Sequence, residues 1–467
     1  MVAAQVAAGK LALAAAQEQV QDVHSDPRWA AIKWTIYRGI AYDITSFIPR
    51  HPGGEWLVNL AVGRDCTALF ESYHLRHDIA LQAFGKLPQL ADFPVHAVAR
   101  APYPGDSKLY SDIKQRVRKE VFEGREARGW HRQGAELAAA AVLSFAVASY
   151  VLYARYTGWL AGLVLGIAGG WIGVTIQHCG NHGAMSTTPL INNLLGLCND
   201  LIGGASLMWR YHHQVSHHIH TNDQELDEDV CSCYPLLRFD TRLPRRAWHA
   251  WQHLYIWVAY PFMHLAFQLG DFNSLLQGRT VGAELLGAST LEKASVLLGK
   301  AAHYALLLAV PALLHGIPAA LAGAAGYSIS LSIVLAVVFF VSHNMPENKP
   351  NLTGADETKK VLYTPLTERD WGVQQVLASA NWGGVVGNFF TGGLNLQVEH
   401  HLFPAISFVH YPAIARIVAE ECAAAGVHYV HHPTLGSVLR RFVTCLKELG
   451  SAPDDTAAAA ALKAKAA

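Results

Sequence analysis

Two stretches of the chain, 137–154 and 158–177, contain no Asp, Glu, Lys or Arg, and a third uncharged stretch runs from 301 to 345. An α-helix crosses the hydrocarbon core of a bilayer with about 20 apolar residues, so each of the first two predicts one span. They turn at Arg155-Tyr156-Thr157-Gly158. The third is too long for a single crossing, and His315-Gly316-Ile317-Pro318 is the natural break, giving spans of roughly 296–315 and 319–342. Two weaker apolar stretches, about 190–208 and 254–268, carry Asp200 in the first and Pro261 with His264 in the second. These are expected at the membrane interface rather than across it. The outer turns hold one cation, Arg155, whereas Arg128, Arg132, Arg210, Arg245, Arg246, Lys293 and Lys300 lie in the other connections. The positive-inside rule then places the N-terminal region, the central loop and the C-terminal region together in the cytosol.

That topology gathers the histidines, of which there are 25. His178-Cys179-Gly180-Asn181-His182 ends the second span, and residues four apart share a helix face. His212-His213-Gln214-Val215-Ser216-His217-His218 lies in the central loop, where His213 and His217 are again four apart and adjacent His217 and His218 point in different directions. Gln397-Val398-Glu399-His400-His401 puts Gln397 one turn before a His pair, and His343 follows the fourth span. One HxxxH pair arises readily by chance, but three clusters on one membrane face predict a metal site. The candidate ligands are His178, His182, His213, His217, His218, His343, Gln397, His400 and His401. His212, His220, His264 and His303 are set aside as non-ligands. Imidazole suits zinc, copper, iron and nickel. A single zinc takes about four ligands, fewer than are offered here, so two metal ions fit better. Asn181 and Asp200 are candidates to orient the ligand imidazoles, and the acidic run Glu225 to Asp229 is expected to be a solvated loop.

The remaining composition is permissive. Lys plus Arg and Asp plus Glu number 36 each, which gives no argument for a nucleic-acid partner. The seven cysteines form no CxxC pair and read as free thiols. The Ala-rich N-terminus has neither a signal-peptide nor a transit-peptide pattern, so residues 1–24 are expected to be a flexible tail, as are 451–467.

Ahead of the spans, residues 25–100 read as a small soluble domain. Trp34-Thr35-Ile36-Tyr37 and Ala41-Tyr42-Asp43-Ile44 have strand composition, and short helices are expected around Trp56–Ala61 and Thr67–Tyr73. A Pro-bearing connection from about Leu90 to Gly105 bounds it. In the segment 101–135, Leu109, Ile113, Val117 and Val121 recur every four residues between Lys114, Arg116, Arg118 and Lys119. That pattern predicts an amphipathic helix, suited either to an anionic headgroup surface or to an ordinary solvated position. His51-Pro52-Gly53-Gly54 would set an imidazole on a tight turn whose glycines admit a flat macrocycle.

With Gly63-Arg64-Asp65-Cys66-Thr67-Ala68-Leu69-Phe70 and Glu71-Ser72-Tyr73-His74 following, this region resembles cytochrome b5, in which two His residues ligate haem b. His51 matches the first ligand. His74 is the choice for the second, one residue closer to Phe70 than expected, and His77 is the alternative. Nearly the whole chain resembles the front-end (cytochrome b5-fused) polyunsaturated fatty acyl desaturases of algae and protists. The resemblance is carried by Gln177-His178 through Ala184, Trp209-Arg210 through His218, Thr221-Asn222, and Gly392 through Pro404. Gln397, where most acyl desaturases have His, marks the b5-fused members. Cys179 departs from the acidic or small residue expected at its position.

The resemblance implies a multidomain fold, a small α+β haem domain followed by an all-α membrane domain at 136–450 with four transmembrane helices in two hairpins plus interfacial helices. It implies a di-iron centre and an O2-dependent desaturation at delta-4 or delta-5 of a membrane lipid or acyl-CoA. Electrons would come from an NADH-cytochrome b5 reductase through the haem. The expected location is the endoplasmic reticulum with both termini cytosolic, a plastid address staying open. The rival readings are a sphingolipid long-chain-base desaturase, a b5-fused acyl hydroxylase and a membrane-anchored haem electron carrier.

Overall fold

The computed structural model describes Val23 and residues 26–98, 107–223, 226–349 and 370–454. The two tails, apart from Val23 and residues 451–454, lie outside the described residues, as do residues 99–105 of the connection before the amphipathic helix and the acid Glu225.

The N-terminal domain starts from an antiparallel hairpin, β1 (Trp34–Tyr37) with β2 (Ile40–Asp43), in which Trp34 faces Asp43 and Tyr37 faces Ile40. Its two turn residues, Arg38 and Gly39, both have positive φ, 48° and 76°. This is the geometry that matches the strand twist in a two-residue hairpin. Trp34 and Ile36 are fully buried with Trp29 and Phe93 on one side, while Tyr37 and Tyr42 pack on Phe70 and Phe84 on the other. Short helices at Glu55–Val58, Thr67–Tyr73 and His77–Phe84 follow.

The amphipathic helix forms at Lys108–Arg116, capped by the Ser107 hydroxyl accepting from the Tyr110 amide, and its last turn widens through Phe122. Its surroundings correct the sequence expectation. Leu109, Ile113 and Val117 are buried in protein. Arg116 pairs with Glu120, Glu420 and Glu421, and Lys114 pairs with Glu71. Glu71 belongs to the N-terminal domain, and Glu420 and Glu421 to the helix Tyr411–Ala425. These cations meet protein carboxylates rather than lipid phosphates, because the helix is wedged between two folded parts of the chain.

Among the described residues, four helices are long and apolar enough to cross a membrane: Trp130–Arg155, Trp159–Asn181, Thr290–His315 and Ile317–Phe340. They match the spans read from the charge-free runs. Gly316, at φ 85°, separates the third from the fourth, and Pro318 sits in the first turn of the next helix, where its missing N–H costs nothing. The second and fourth spans meet backbone to backbone. A Cβ at Gly162 would lie 2.0 Å from the Gly323 carbonyl oxygen, and one at Gly326 would lie 2.4 Å from that of Trp159. Small residues allow such close approach where lipid supplies no hydrophobic drive. The Tyr153 hydroxyl donates to the Leu307 carbonyl and ties the two hairpins together.

The weaker apolar stretches form short helices at Pro189–Gly196 and Gln252–Ala259, and Met263–Gln277 follows. Leu190, Leu194, Leu254, Val258 and Leu269 are left exposed on them, as interfacial helices require. One hydrophobic core runs from Leu57 and Phe70 of the haem domain through Tyr110 to Ile176, Tyr211 and Leu402.

Candidate metal and haem sites

The second span does not remain a regular α-helix to its end. Residues Ile172–Gln177 widen into π-helical turns before His178–Asn181, and Arg210–His217 do the same in the central loop. Such turns recur at functional sites because they re-aim side chains. His178 and His182 keep the expected spacing and stand 4.8 Å apart, ring centre to ring centre. In the central loop the wider turn favours partners five apart. His213 meets His218 with 3.1 Å between their Nε2 atoms, while His213 and His217 stack 5.3 Å apart. Trp209 stacks on His213 at 4.3 Å.

The helix Gln397–Leu402 closes the site. His400 lies 4.5 Å from His178, and His401 lies 5.0 Å from His217 and 4.7 Å from His343. Beside a set of His217 with Asp227 and Asp229, two all-histidine groups result, His178, His182, His213 and His400 in one, and His217, His343 and His401 in the other. Within each group the candidate ligand atoms all lie within 4.8 Å of one another, and every member is buried. His218 stands between the groups, stacked on His401 at 4.3 Å. The Gln397 amide nitrogen is 2.9 Å from His343 Nε2. All nine residues named from the sequence therefore converge.

This arrangement fits bound cations better than a polar core. Nε2 of His178 lies 3.2 Å from Nε2 of His213, which also faces His218. His182 Nε2, His400 Nε2 and Gln397 Oε1 are buried with no hydrogen-bond partner among the described residues. Buried polar atoms left unpaired cost free energy, and a cation removes that cost for several at once. Burial lowers His213, His218, His400 and His401 well below the ordinary imidazole range, and His343 to about 3. They are held neutral, the form that binds metal.

The surroundings correct two expectations. Asp227 and Glu228 are buried rather than solvated. The Asp227 carboxylate accepts from His217 Nδ1 at 3.1 Å, and that of Asp229 accepts from His212 Nε2 at 2.6 Å. Burial opposes a charge on His217 and His212, but these carboxylates outweigh it and raise both. A carboxylate behind a metal-facing imidazole fixes its tautomer and strengthens it as a ligand. The side chains of Asn181 and Asp200 instead bond away from the imidazoles. Asn181 accepts from Arg210 Nε at 2.7 Å and donates to Gln177, and Asp200 bonds Ser206. His401 is oriented by Gln375, whose Oε1 lies 2.9 Å from its Nδ1. Asp227 and Gln375 reach the site through long-range packing, which no local spacing announces.

In the N-terminal domain, His51 and His74 stand 6.3 Å apart, ring centre to ring centre, with planes at 81°. Nδ1 of His51 lies 3.2 Å from the Gly54 carbonyl, and Nδ1 of His74 lies 2.8 Å from that of Phe70. Both Nδ1 atoms must donate, which leaves each Nε2 as the lone-pair nitrogen. Imidazole–metal bonds run about 2 Å, and the separation suits one ion between two rings. Burial lowers His74 to about 4 and lowers His51 as well, so both are neutral. His77 is turned elsewhere, its Nε2 lying 2.9 Å from Glu71. A Cβ on Gly53 would come within 2.8 Å of the His51 ring, so that turn needs glycine. All seven cysteines are free thiols.

Comparison with known proteins agrees with this division. Residues 153–433 match the fatty acid desaturase family model, and residues 18–113 match the cytochrome b5-like heme/steroid binding domain. An acyl-lipid (7-3)-desaturase, chloroplastic, of Chlamydomonas reinhardtii is 61% identical over 415 residues, covering 89% of this chain and 80% of that protein. An acyl-lipid (8-3)-desaturase of Physcomitrium patens is 31% identical, with 89% and 88% covered. A Delta(5) fatty acid desaturase A of Dictyostelium discoideum is 27% identical, with 90% and 91% covered.

Proposed function

Because the chain belongs to the fatty acid desaturase family, with a cytochrome b5-like haem domain ahead of a membrane di-iron domain, we propose that it is a front-end acyl-lipid desaturase. It inserts a double bond between an existing one and the carboxyl end of a polyunsaturated chain, at delta-4 or delta-5. The observation that carries this reading is the pairing of two buried histidine groups with a two-histidine haem pocket on the same side of four spans. The acyl-lipid substrate class is supported by the names of the Chlamydomonas and Physcomitrium relatives, and the delta-5 alternative by that of the Dictyostelium relative.

In this reading His51 and His74 hold the haem. His178, His182, His213 and His400 hold one iron and His217, His343 and His401 the other, with His218 between them and Gln397 beside the second. The iron pair, when bound, supplies dioxygen activation and hydrogen abstraction from an unactivated methylene. The reaction converts –CH2–CH2–, O2, two electrons and two protons to –CH=CH– and two waters. The protein's residues perform the rest. The neutral imidazoles of His213, His218, His343, His400 and His401 are ready to ligate, Asp227 orients His217, and Gln375 orients His401. The near-total burial of the site excludes bulk water, which limits loss of reactive species. With His51 and His74 both holding it, a bound haem would have no place for substrate and would supply single-electron transfer. Those electrons come from a flavin reductase, NADH-cytochrome b5 reductase being the expected one.

The name of the Chlamydomonas relative favours a plastid membrane over the endoplasmic reticulum, and a fluorescent fusion in algal cells decides between them. Expression in yeast fed polyunsaturated acids tests the activity itself. Gas chromatography of the lipids is expected to show a new double bond on the carboxyl side of an existing one. Change confined to sphingoid bases would replace this reading with the sphingolipid one. A haem spectrum without any lipid change would favour an electron carrier.

A further inference from the structure

The haem domain is seated on the metal-binding domain by specific polar contacts. Arg64 donates to the Glu284 carbonyl at 2.6 Å, and the Arg210 guanidinium lies 4.4 Å over the ring of Trp56. Gly287 passes so close to the Asn59 carbonyl that a Cβ would lie 2.0 Å from its oxygen. Through this seat Tyr73, the neighbour of His74, reaches into the histidine cluster. Its hydroxyl lies 2.6 Å from Nδ1 of His182 and 2.9 Å from Oε1 of Gln214.

The hydrogens of this chain can be assigned. Gln214 Nε2 lies 2.8 Å from the Asn181 carbonyl, which only accepts, so the amide orientation is fixed. Gln214 Oε1 must then accept from Tyr73. The phenol oxygen, having spent its one hydrogen, accepts from His182 Nδ1–H. That leaves Nε2 of His182 unprotonated, and Nε2 is the atom buried without a hydrogen-bond partner among the described residues. Gln214 and Asn181 return the chain to the residue beside His182, so the network sets both tautomer and ring angle.

We propose that Tyr73 is a positioning residue of the metal centre contributed by the haem domain. It holds His182 with Nε2 toward the metal, and it links haem-side His74 to the metal centre through one peptide bond and one hydrogen bond. With haem and iron bound, each electron carried along this link would take the haem from ferrous to ferric and one ion of the pair from ferric to ferrous. Two transfers precede each double bond, with the flavin reductase as electron source. A hydrogen-bonded partner behind a metal ligand is worth about 10- to 100-fold in metal affinity or activity.

The inference rests on the ligand assignment above, and the test separates the two. Full-length protein loaded with haem and iron is prepared as wild type, Tyr73→Phe, Gln214→Met and His182→Ala. The readouts are reduced-haem absorbance, iron per chain, the Mössbauer doublets of the iron and stopped-flow reoxidation of the haem under O2 with substrate. For Tyr73→Phe the haem absorbance is expected to persist, one doublet to shift, and reoxidation to slow about 10-fold or more. Gln214→Met, which keeps the phenol but removes its acceptor, is expected to shift the same doublet, and it carries the test if Tyr73→Phe does not accumulate. Unchanged doublets and unchanged reoxidation would overturn the proposal. So would loss of haem absorbance in Tyr73→Phe, which would place the phenol in the haem pocket. If His182→Ala keeps its full iron, the ligand assignment falls and the role of Tyr73 with it. If His182→Ala loses iron while Tyr73→Phe is silent, only the role of Tyr73 falls.

Discussion

At the scale of single residues, His74 and His77 show what spacing leaves open and contacts decide. Both follow Phe70 closely enough to face the His51 turn. His74 packs on Phe70 at 4.4 Å and points its other edge toward His51. His77 begins the next helix and bonds Glu71 and Tyr37. Replacing His74 by Ala is therefore expected to abolish the reduced-haem absorbance. His77→Ala should keep it, since that change removes contacts to Glu71 and Tyr37 rather than one facing His51. Haem lost equally from both variants would contradict the pairing. The sequence already pointed to His74, with His77 as the alternative, and the helix end at Tyr73 and the carboxylate of Glu71 show which of the two rings faces His51. Asp227 teaches the converse. Read along the chain it belongs to an acidic loop, yet it lies buried behind His217, because the loop folds back over the site.

At the scale of elements, the glycines of the second and fourth spans set how closely two helices approach. The obstacle to a side chain at Gly162 is the backbone oxygen of Gly323, which cannot rotate away. Gly162→Leu is expected to lower stability in detergent by about 1–3 kcal/mol or more, the usual cost of overpacking, seen as earlier thermal unfolding. Gly270 is the control. It lies in the helix Met263–Gln277, and a Cβ added there would meet nothing within 4 Å, so Gly270→Ala should be neutral or stabilising by up to about 1 kcal/mol. Equal unfolding temperatures for Gly162→Leu and wild type would refute the close-packing argument. Hydropathy located all four helices, with ends displaced by at most one to two turns, since uncharged length is a local property. The widened turns at Ile172–Gln177 and Arg210–His217 were not legible. They change which histidines pair, from four apart to five apart in the central loop, and tertiary packing imposes them.

At the scale of the whole molecule, the haem domain is part of the catalytic assembly and not a tethered neighbour. Glu71 is central to that union. It accepts from Lys114 of the following helix and from Arg38 and His77 of its own domain. Burial works to raise its pKa, but His77, Lys114 and the Tyr37 hydroxyl prevail and lower it to about 2 from an ordinary 4.5. A carboxyl whose folded pKa is depressed contributes stability that is fully present above its unfolded value and is lost as pH falls through the folded one. The contribution of Glu71 should therefore decline between about pH 4.5 and pH 2. Protease susceptibility of the junction between the haem domain and helix Lys108–Arg116 should rise across that window in the wild type. In Glu71→Gln the junction should already be more susceptible at neutral pH, and its change across the same window should be smaller. An identical pH profile in the two proteins would show that Glu71 does not hold the junction.

The sequence by itself determined what is local or periodic: four uncharged spans, their hairpin pairing, a haem-type turn at His51, and three histidine clusters delivered to one membrane face. Those follow from helix rise, bilayer thickness and the reach of neighbouring side chains, which operate over a few residues. Only the tertiary structure decided how the clusters divide into two groups, that His74 rather than His77 faces His51, and that Asp227 stands behind His217. It also decided that the basic helix meets carboxylates rather than lipid, and that Tyr73 touches His182 from 109 residues away. Each of these is a contact between segments distant in the chain. Such contacts depend on how helices and loops pack in three dimensions, and no spacing along the sequence encodes that packing.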